Sequence, residues 1–186
     1  MKTFREIVQE ATTITIYHGG PAIVKTIDPK WMMTAASNNQ EGIGIYFGNL
    51  DVASSYGRSI VQAEINPKKF IDSRESIGKY SKGILNQLLQ ILHKTDNEPL
   101  YYELTDWGVE VQEPEDVTSA HLRELSLNLK DEEVRNFQID MAQKFGVEAF
   151  VEAWNKIYPQ IHGTYNKDLG FYAVINSKIK VKPFTE

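Results

Sequence analysis

The 186-residue chain contains no cysteine. That excludes thiol nucleophiles, disulfides and thiolate metal sites, and it leaves the compartment open, since reducing and oxidising surroundings both tolerate cysteine-free chains. A basic excess is missing as well: 20 Lys and Arg against 25 Asp and Glu give a net charge of -5. No broad basic face therefore advertises nucleic acid or an anionic membrane as partner, although a local basic patch stays open. No run approaches the roughly 18 apolar residues that span a bilayer. The opening "MKTFREIVQEA" lacks the continuous apolar centre of a secretory signal. Internal repeats, low-complexity tracts and obvious linkers are absent too. What remains is ordinary: 41% hydrophobic and 24% charged residues, enough for one globular domain with a sizeable core.

Hydrophobic periodicity divides the chain into three stretches. Residues 13–18 alternate like a strand around Ile14 and Ile16, and "GIGIYF" at 42–47 alternates around Ile43, Ile45 and Phe47. "LDVASSYG" reads as a short helix with Asp51 as its cap and Gly57 as its stop, and "SIVQAEI" as a strand. The middle is helical. Ile84, Leu85, Leu88, Leu89 and Leu92 form one stripe, and 99–112 is undecided. A helix starting at Pro114 carries Val117, Leu122, Leu125 and Leu129. Another carries Val134, Phe137, Met141 and Phe145 up to Gly146, and a last one runs to Pro159. Two strands, "GFYAVIN" and "KIKVKPF", close the chain. Strands at both ends and helices between predict an α+β fold in which the terminal strands pair with the early ones.

Three features within 45 residues carry chemistry: "YHGG" at 17–20, "GIGIYF" at 42–47 and "DVASSYG" at 51–57. Singly, His18 reads as a satisfied strand-end histidine, Tyr46 as an amphipathic edge residue and Tyr56 as a helix contact. Gly42 and Gly44 fit neither a phosphate loop nor a dinucleotide fingerprint. Together the three resemble the ADP-ribosyltransferase superfamily, in the branch with a His-Tyr-Glu type triad, and phage polyvalent-protein members above all. The last strand of those members is similar to "YAVINSKIK" at 172–180. The likeness covers the strands at both ends and leaves a helical insertion, about 76–160, unaligned.

That resemblance implies a split β-sandwich over residues 11–186 with an NAD cleft between two sheets. It makes NAD the substrate and His18, Gly19, Tyr46 and Tyr56 the residues that bind it. The histidine would contact a ribose hydroxyl, and the glycine would offer backbone groups to the nicotinamide carboxamide. The two tyrosines would stack on the ring. His18, Tyr46 and Tyr56 carry the catalytic role, and a host protein is the expected acceptor. Two positions depart from the pattern. The tyrosines are one residue closer together than in the family, and Lys178 stands where an acidic residue or glutamine is usual. Glu110, Glu113 and Glu115 are substitute carboxylates, alongside their reading as solvated charges. The lysine keeps a second function open, an inactive member of the fold that binds or inhibits a host protein.

Residues 1–10 resemble the capsid-targeting sequence of internal head proteins from large contractile-tailed phages. Such a label implies prohead-protease cleavage between Glu10 and Ala11, a place in the virion interior, and later delivery into host cytoplasm. Phe4, Ile7, Val8 and Ala11 equally suit a helix docked on the domain. His93, His121 and His162 are scattered, and His121 with Glu124 lacks a second histidine, so no metal site is expected. Trp31, Trp107 and Trp154 read as core or rim.

Overall fold

The computed structural model describes residues 13–32, 43–72, 77–94, 97–166, 168–176 and 178–185. The expected N-terminal helix or label, the Glu10–Ala11 bond and Gly42 lie outside the described residues. The strands are β1 (Ile14–Gly20), β2 (Ile45–Phe47), β3 (Ser59–Ile65), β4 (Phe70–Asp72), β5 (Gly163–Asn166), β6 (Phe171–Val174) and β7 (Val181–Pro183). The helices are α1 (Leu50–Tyr56), α2 (Ile77–Leu92), α3 (Glu98–Asp106), α4 (Ser119–Asn128), α5 (Asp131–Phe145) and α6 (Val147–Ile157). The fold is α+β. Late strands pair with early ones: β7 lies antiparallel to β3 with Val181 opposite Ala63, and β6 lies antiparallel to β2 with Val174 opposite Ile45.

The chain divides into two compact units, Met1–Glu75 with Pro159–Glu186, and Ser76–Tyr158. The first unit holds two sheets, of order β1-β3-β7 and β2-β6-β5-β4. Among the described residues they meet at a single antiparallel bridge: Tyr17 N–H donates to the Gly48 carbonyl at 2.9 Å, and Gly48 N–H donates back to the Tyr17 carbonyl at 2.8 Å. Beyond that bridge β1 stays with β3 while β2 stays with β6, so the strand layer splits there. Ile16, Phe47, Val61, Ala63, Ile65, Tyr172 and Val174 are buried in this unit. Two short strands interrupt the expected pattern. Phe70-Ile71-Asp72 is half-buried throughout and shows no alternation, and Gly163, expected in a loop with His162, opens β5. β4 and β5 run parallel, which requires a long crossover, and the second unit supplies it.

The second unit is helical. Leu85, Leu88 and Leu89 recur at helical spacing on α2 and are fully buried, with α4, α5 and α6 packed against that helix. Truncating one of them to alanine costs about 2–5 kcal/mol in a core of this kind. The undecided stretch 99–112 contains α3, whose Leu100 and Leu104 are buried and whose Glu103 pairs with Lys144 of α5. Pro114 does not start α4. It opens a separate 3-10 turn, Pro114–Asp116, and the helix begins after Thr118. There His121 closes a capping box by accepting the Thr118 N–H at 3.2 Å, a structural task that occupies its imidazole.

The helix of the strand unit decides where the candidate site lies. Asn49, not Asp51, caps α1: its side-chain oxygen accepts Val52 N–H at 2.8 Å, and Asp51 sits in the first turn, where a carboxylate suits the helix dipole. α1 runs along β1 in backbone contact. A Cβ on Gly19 would stand 1.8 Å from the Ala53 carbonyl oxygen, and one on Gly57 would stand 2.3 Å from that of Gly20. Neither obstacle is a side chain that can swing aside. Gly19→Ala and Gly57→Ala are each expected to destabilise the protein by about 2 kcal/mol or more, read as a lower urea midpoint. Ser54→Ala on the exposed face of the same helix should change stability by less than about 0.5 kcal/mol.

Candidate functional site

His18 stands one residue past the bridge, on the β1 face that looks toward Phe47, with ring centroids 5.5 Å apart. Its Nδ1 lies 2.8 Å from the Tyr46 carbonyl oxygen. A carbonyl only accepts, so Nδ1–H is the donor. In the neutral ring this leaves the lone pair on Nε2. Nε2 lies 3.6 Å from where a side chain on Gly20 would begin, an ordinary contact distance. Among the described residues no other group bonds Nε2. The site thus begins with an oriented imidazole whose remaining nitrogen accepts a hydrogen bond.

Gly19 comes next. Tyr17 spends both backbone groups on Gly48, toward β2. In a regular strand the peptide groups of residues two apart point the same way, so those of Gly19 face β2 as well. Its partner in the register, Ile60, agrees, because the Ile60 carbonyl accepts Phe184 N–H at 3.0 Å on the far side of β3. The Gly19 N–H and C=O therefore point into the gap where the two sheets have separated. Among the described residues no loop or cap hydrogen bond reaches either group. A donor and an acceptor on one peptide edge, beside the His18 ring, match a primary carboxamide. The glycine itself has another cause, which the sequence did not reveal: its missing side chain makes room for Ala53 of α1.

The structure brings His18, Gly19 and Tyr46 together, with Tyr46 contributing its main chain. The Tyr46 side chain, by strand alternation, leaves β2 on the face opposite Phe47, the face that also carries Gly48 beneath Val52 of α1. Tyr56 joins the group only through its neighbour Gly57, which presses on Gly20, and its own side chain is 67% exposed. Lys178 lies outside any strand, in the turn after β6, where its N–H donates to Asn176. Glu110, Glu113 and Glu115 are exposed residues of the helical unit, Glu113 before and Glu115 within the 3-10 turn. Trp154 is core, whereas Trp31 and Trp107 lie at the surface. Among the described residues no group of three or more His, Asp or Glu side chains could hold a metal ion. None of the described helices is long and apolar enough to cross a membrane.

His162, read from sequence as a loop residue, is half-buried beside the Phe70 ring, and its Nδ1 has no partner among the described residues. Burial first, then the charges of Lys69 and Lys178, hold its imidazolium below the usual value of 6.5. The unfolded chain binds this proton more readily, so stability is complete above the unfolded value and falls as pH drops from about 6.5 through the lower folded value. His162→Gln is expected to flatten that part of the acid limb, measured as the urea midpoint between pH 7 and 5.

No family model matches the chain, and no curated protein matches it. Among solved structures, one described as a crystal structure of an anti-CRISPR protein is similar over 94% of this chain and 97% of its own. The two are 9% identical with a TM-score of 0.38, a likeness too slight to carry an argument.

Proposed function

We propose that the strand unit is an NAD-binding cleft of ADP-ribosyltransferase type and that the protein transfers ADP-ribose to a host protein. The observation that carries this reading is the peptide edge of Gly19, without a loop or cap hydrogen bond among the described residues, beside the oriented His18 ring. In the proposed complex the Gly19 N–H donates to the nicotinamide carbonyl, and the Gly19 carbonyl accepts from its amide. Nε2 of His18 accepts from a ribose hydroxyl, a contact open to it because Tyr46 fixes the proton on Nδ1. In this reading Tyr46 and Tyr56 stack on the ring from the α1 side, which requires the exposed Tyr56 side chain to turn toward it. The bond from ribose C1′ to the nicotinamide nitrogen breaks with its electron pair going to nicotinamide. The positive charge on the sugar is then quenched by an acceptor side chain, which loses a proton to solvent. Fixed dipoles lower the barrier to such a charged state.

A second reading rests on Lys178, a cation where this chemistry wants an anion: a cleft that binds without cleaving and serves as an inhibitor or docking module against a host protein. With either activity, the resemblance of residues 1–10 favours storage in the virion, removal of the label after Glu10 and action in host cytoplasm.

Labelled NAD incubated with the full chain, with and without host lysate as acceptor, tests both. Transfer or nicotinamide release that falls by about 100-fold in His18→Ala supports the enzyme. Saturable NAD binding with no turnover supports the binding module, and absence of binding overturns the cleft.

A further inference from the structure

Elsewhere in the strand unit, three segments are tied together by backbone hydrogen bonds around His162. Its N–H donates to the Lys69 carbonyl at 2.7 Å, and its carbonyl accepts Ile175 N–H at 2.9 Å and Asn176 N–H at 3.0 Å. The buried Asn176 side chain then accepts Lys178 N–H at 2.8 Å. The main chains of Lys69, which ends the 3-10 turn Pro67–Lys69 just before β4, and of Lys178, in the turn after β6, are thereby tied to that of His162. Lys68 and Lys180 flank them, so an acidic chain carries a local basic corner.

Among the described residues no carboxylate pairs with Lys69 or Lys178. An ammonium can only donate, and so can a protonated imidazole, so the corner gathers donors and like charges with nothing to receive them. Burial is the first cause of the lowered His162 titration, and the charges of Lys69 and Lys178 add to it. We propose that His162, Lys69 and Lys178 form a binding site for the phosphate group of a small ligand. A tetrahedral dianion offers oxygens to all three groups at once and cancels their repulsion. The site shares Lys178 with the second reading above but uses neither His18 nor Gly19, so a sulfate effect at His162 and NAD binding can fail independently.

Binding a dianion favours the protonated ring, so it raises the His162 titration point and tightens as pH falls. The titratable groups that act on that ring are Lys69 and Lys178 through their charges, while across Phe70 lies Tyr172 with Tyr165 stacked on it. Burial first, then Tyr165, pushes the Tyr172 hydroxyl well above its usual range, so it stays neutral throughout.

Sulfate is a suitable probe, because it keeps its charge across the histidine range. The His162 ring signal of the full-length protein is followed by NMR during titration with sodium sulfate, with sodium chloride at matched ionic strength as reference. A saturable shift, a higher His162 titration point, and affinity reduced about tenfold in Lys69→Gln and in Lys178→Gln are expected. Lys182→Gln, whose lysine pairs with Glu64, should bind as the parent does. AMP and O-phosphoserine distinguish a nucleotide from a phosphorylated amino acid as the source, and one of them should bind more tightly than sulfate. A shift reproduced by chloride, variants that bind sulfate like the parent, or AMP and phosphoserine both no tighter than sulfate (an adventitious ion only) would overturn the site.

Discussion

A backbone-to-backbone fit between one strand and one helix sets the position of everything at the candidate site. β1 ends in two glycines because α1 lies directly on them, with the Ala53 carbonyl where a Gly19 side chain would be and Gly57 pressed onto Gly20. Contact this close fixes both the spacing and the direction of the helix relative to the strand. Asn49 sets where the helix begins, immediately after Gly48 has bridged to Tyr17. Cap, bridge and glycine contacts therefore form one mechanical chain, and Tyr46 and Tyr56 hang at its two ends.

In the proposed complex, recognition would fall on the main chain. The Tyr46 carbonyl orients the imidazole, and Gly19 offers its own peptide groups to the split between the sheets. Backbone donors and acceptors held by a sheet need no rotamer ordering on binding, so such a site is preorganised in a way that long side chains are not. This tolerates variation in the surrounding side chains as long as the strand keeps its register. It also gives Gly19 two duties, since the atom it lacks serves the helix while the atoms it retains face the gap.

Legibility in the sequence followed the strength of the local pattern. Ile14 and Ile16 alternate, the α2 leucines recur at three and four residues, and both gave elements of the right type. β1 ran two residues beyond its expected end because glycines break the apolar pattern without leaving the ladder with β3. Conversely, β2 covers only Ile45–Phe47 of the alternating run. β4 and β5 escaped notice, since Phe70-Ile71-Asp72 has no alternation and "GTYN" has two poor strand formers; tertiary pairing overrides propensity in both. Asn49 and Asp51 are equally good caps by composition, and only the hydrogen bond to Val52 chooses between them. At the site, "HGG" marked a place where bare backbone matters. A sequence cannot say whether the close neighbour is a ligand or a helix, and here a helix takes the side-chain direction.

The parallel pairing of β4 with β5 has a consequence for how the protein is made. These neighbours in one sheet are separated in the chain by the whole helical unit, Ser76–Tyr158. Their ladder closes only after that long excursion has been paid for in chain entropy, whereas α2 and its partner helices assemble from near-neighbour contacts. During synthesis Phe70–Asp72 is made about ninety residues before Gly163, so that edge cannot pair with β5 until the whole helical unit has been made. The ladder between β4 and β5 is thus a non-local contact, available only once the chain on both flanks of the insertion is in place.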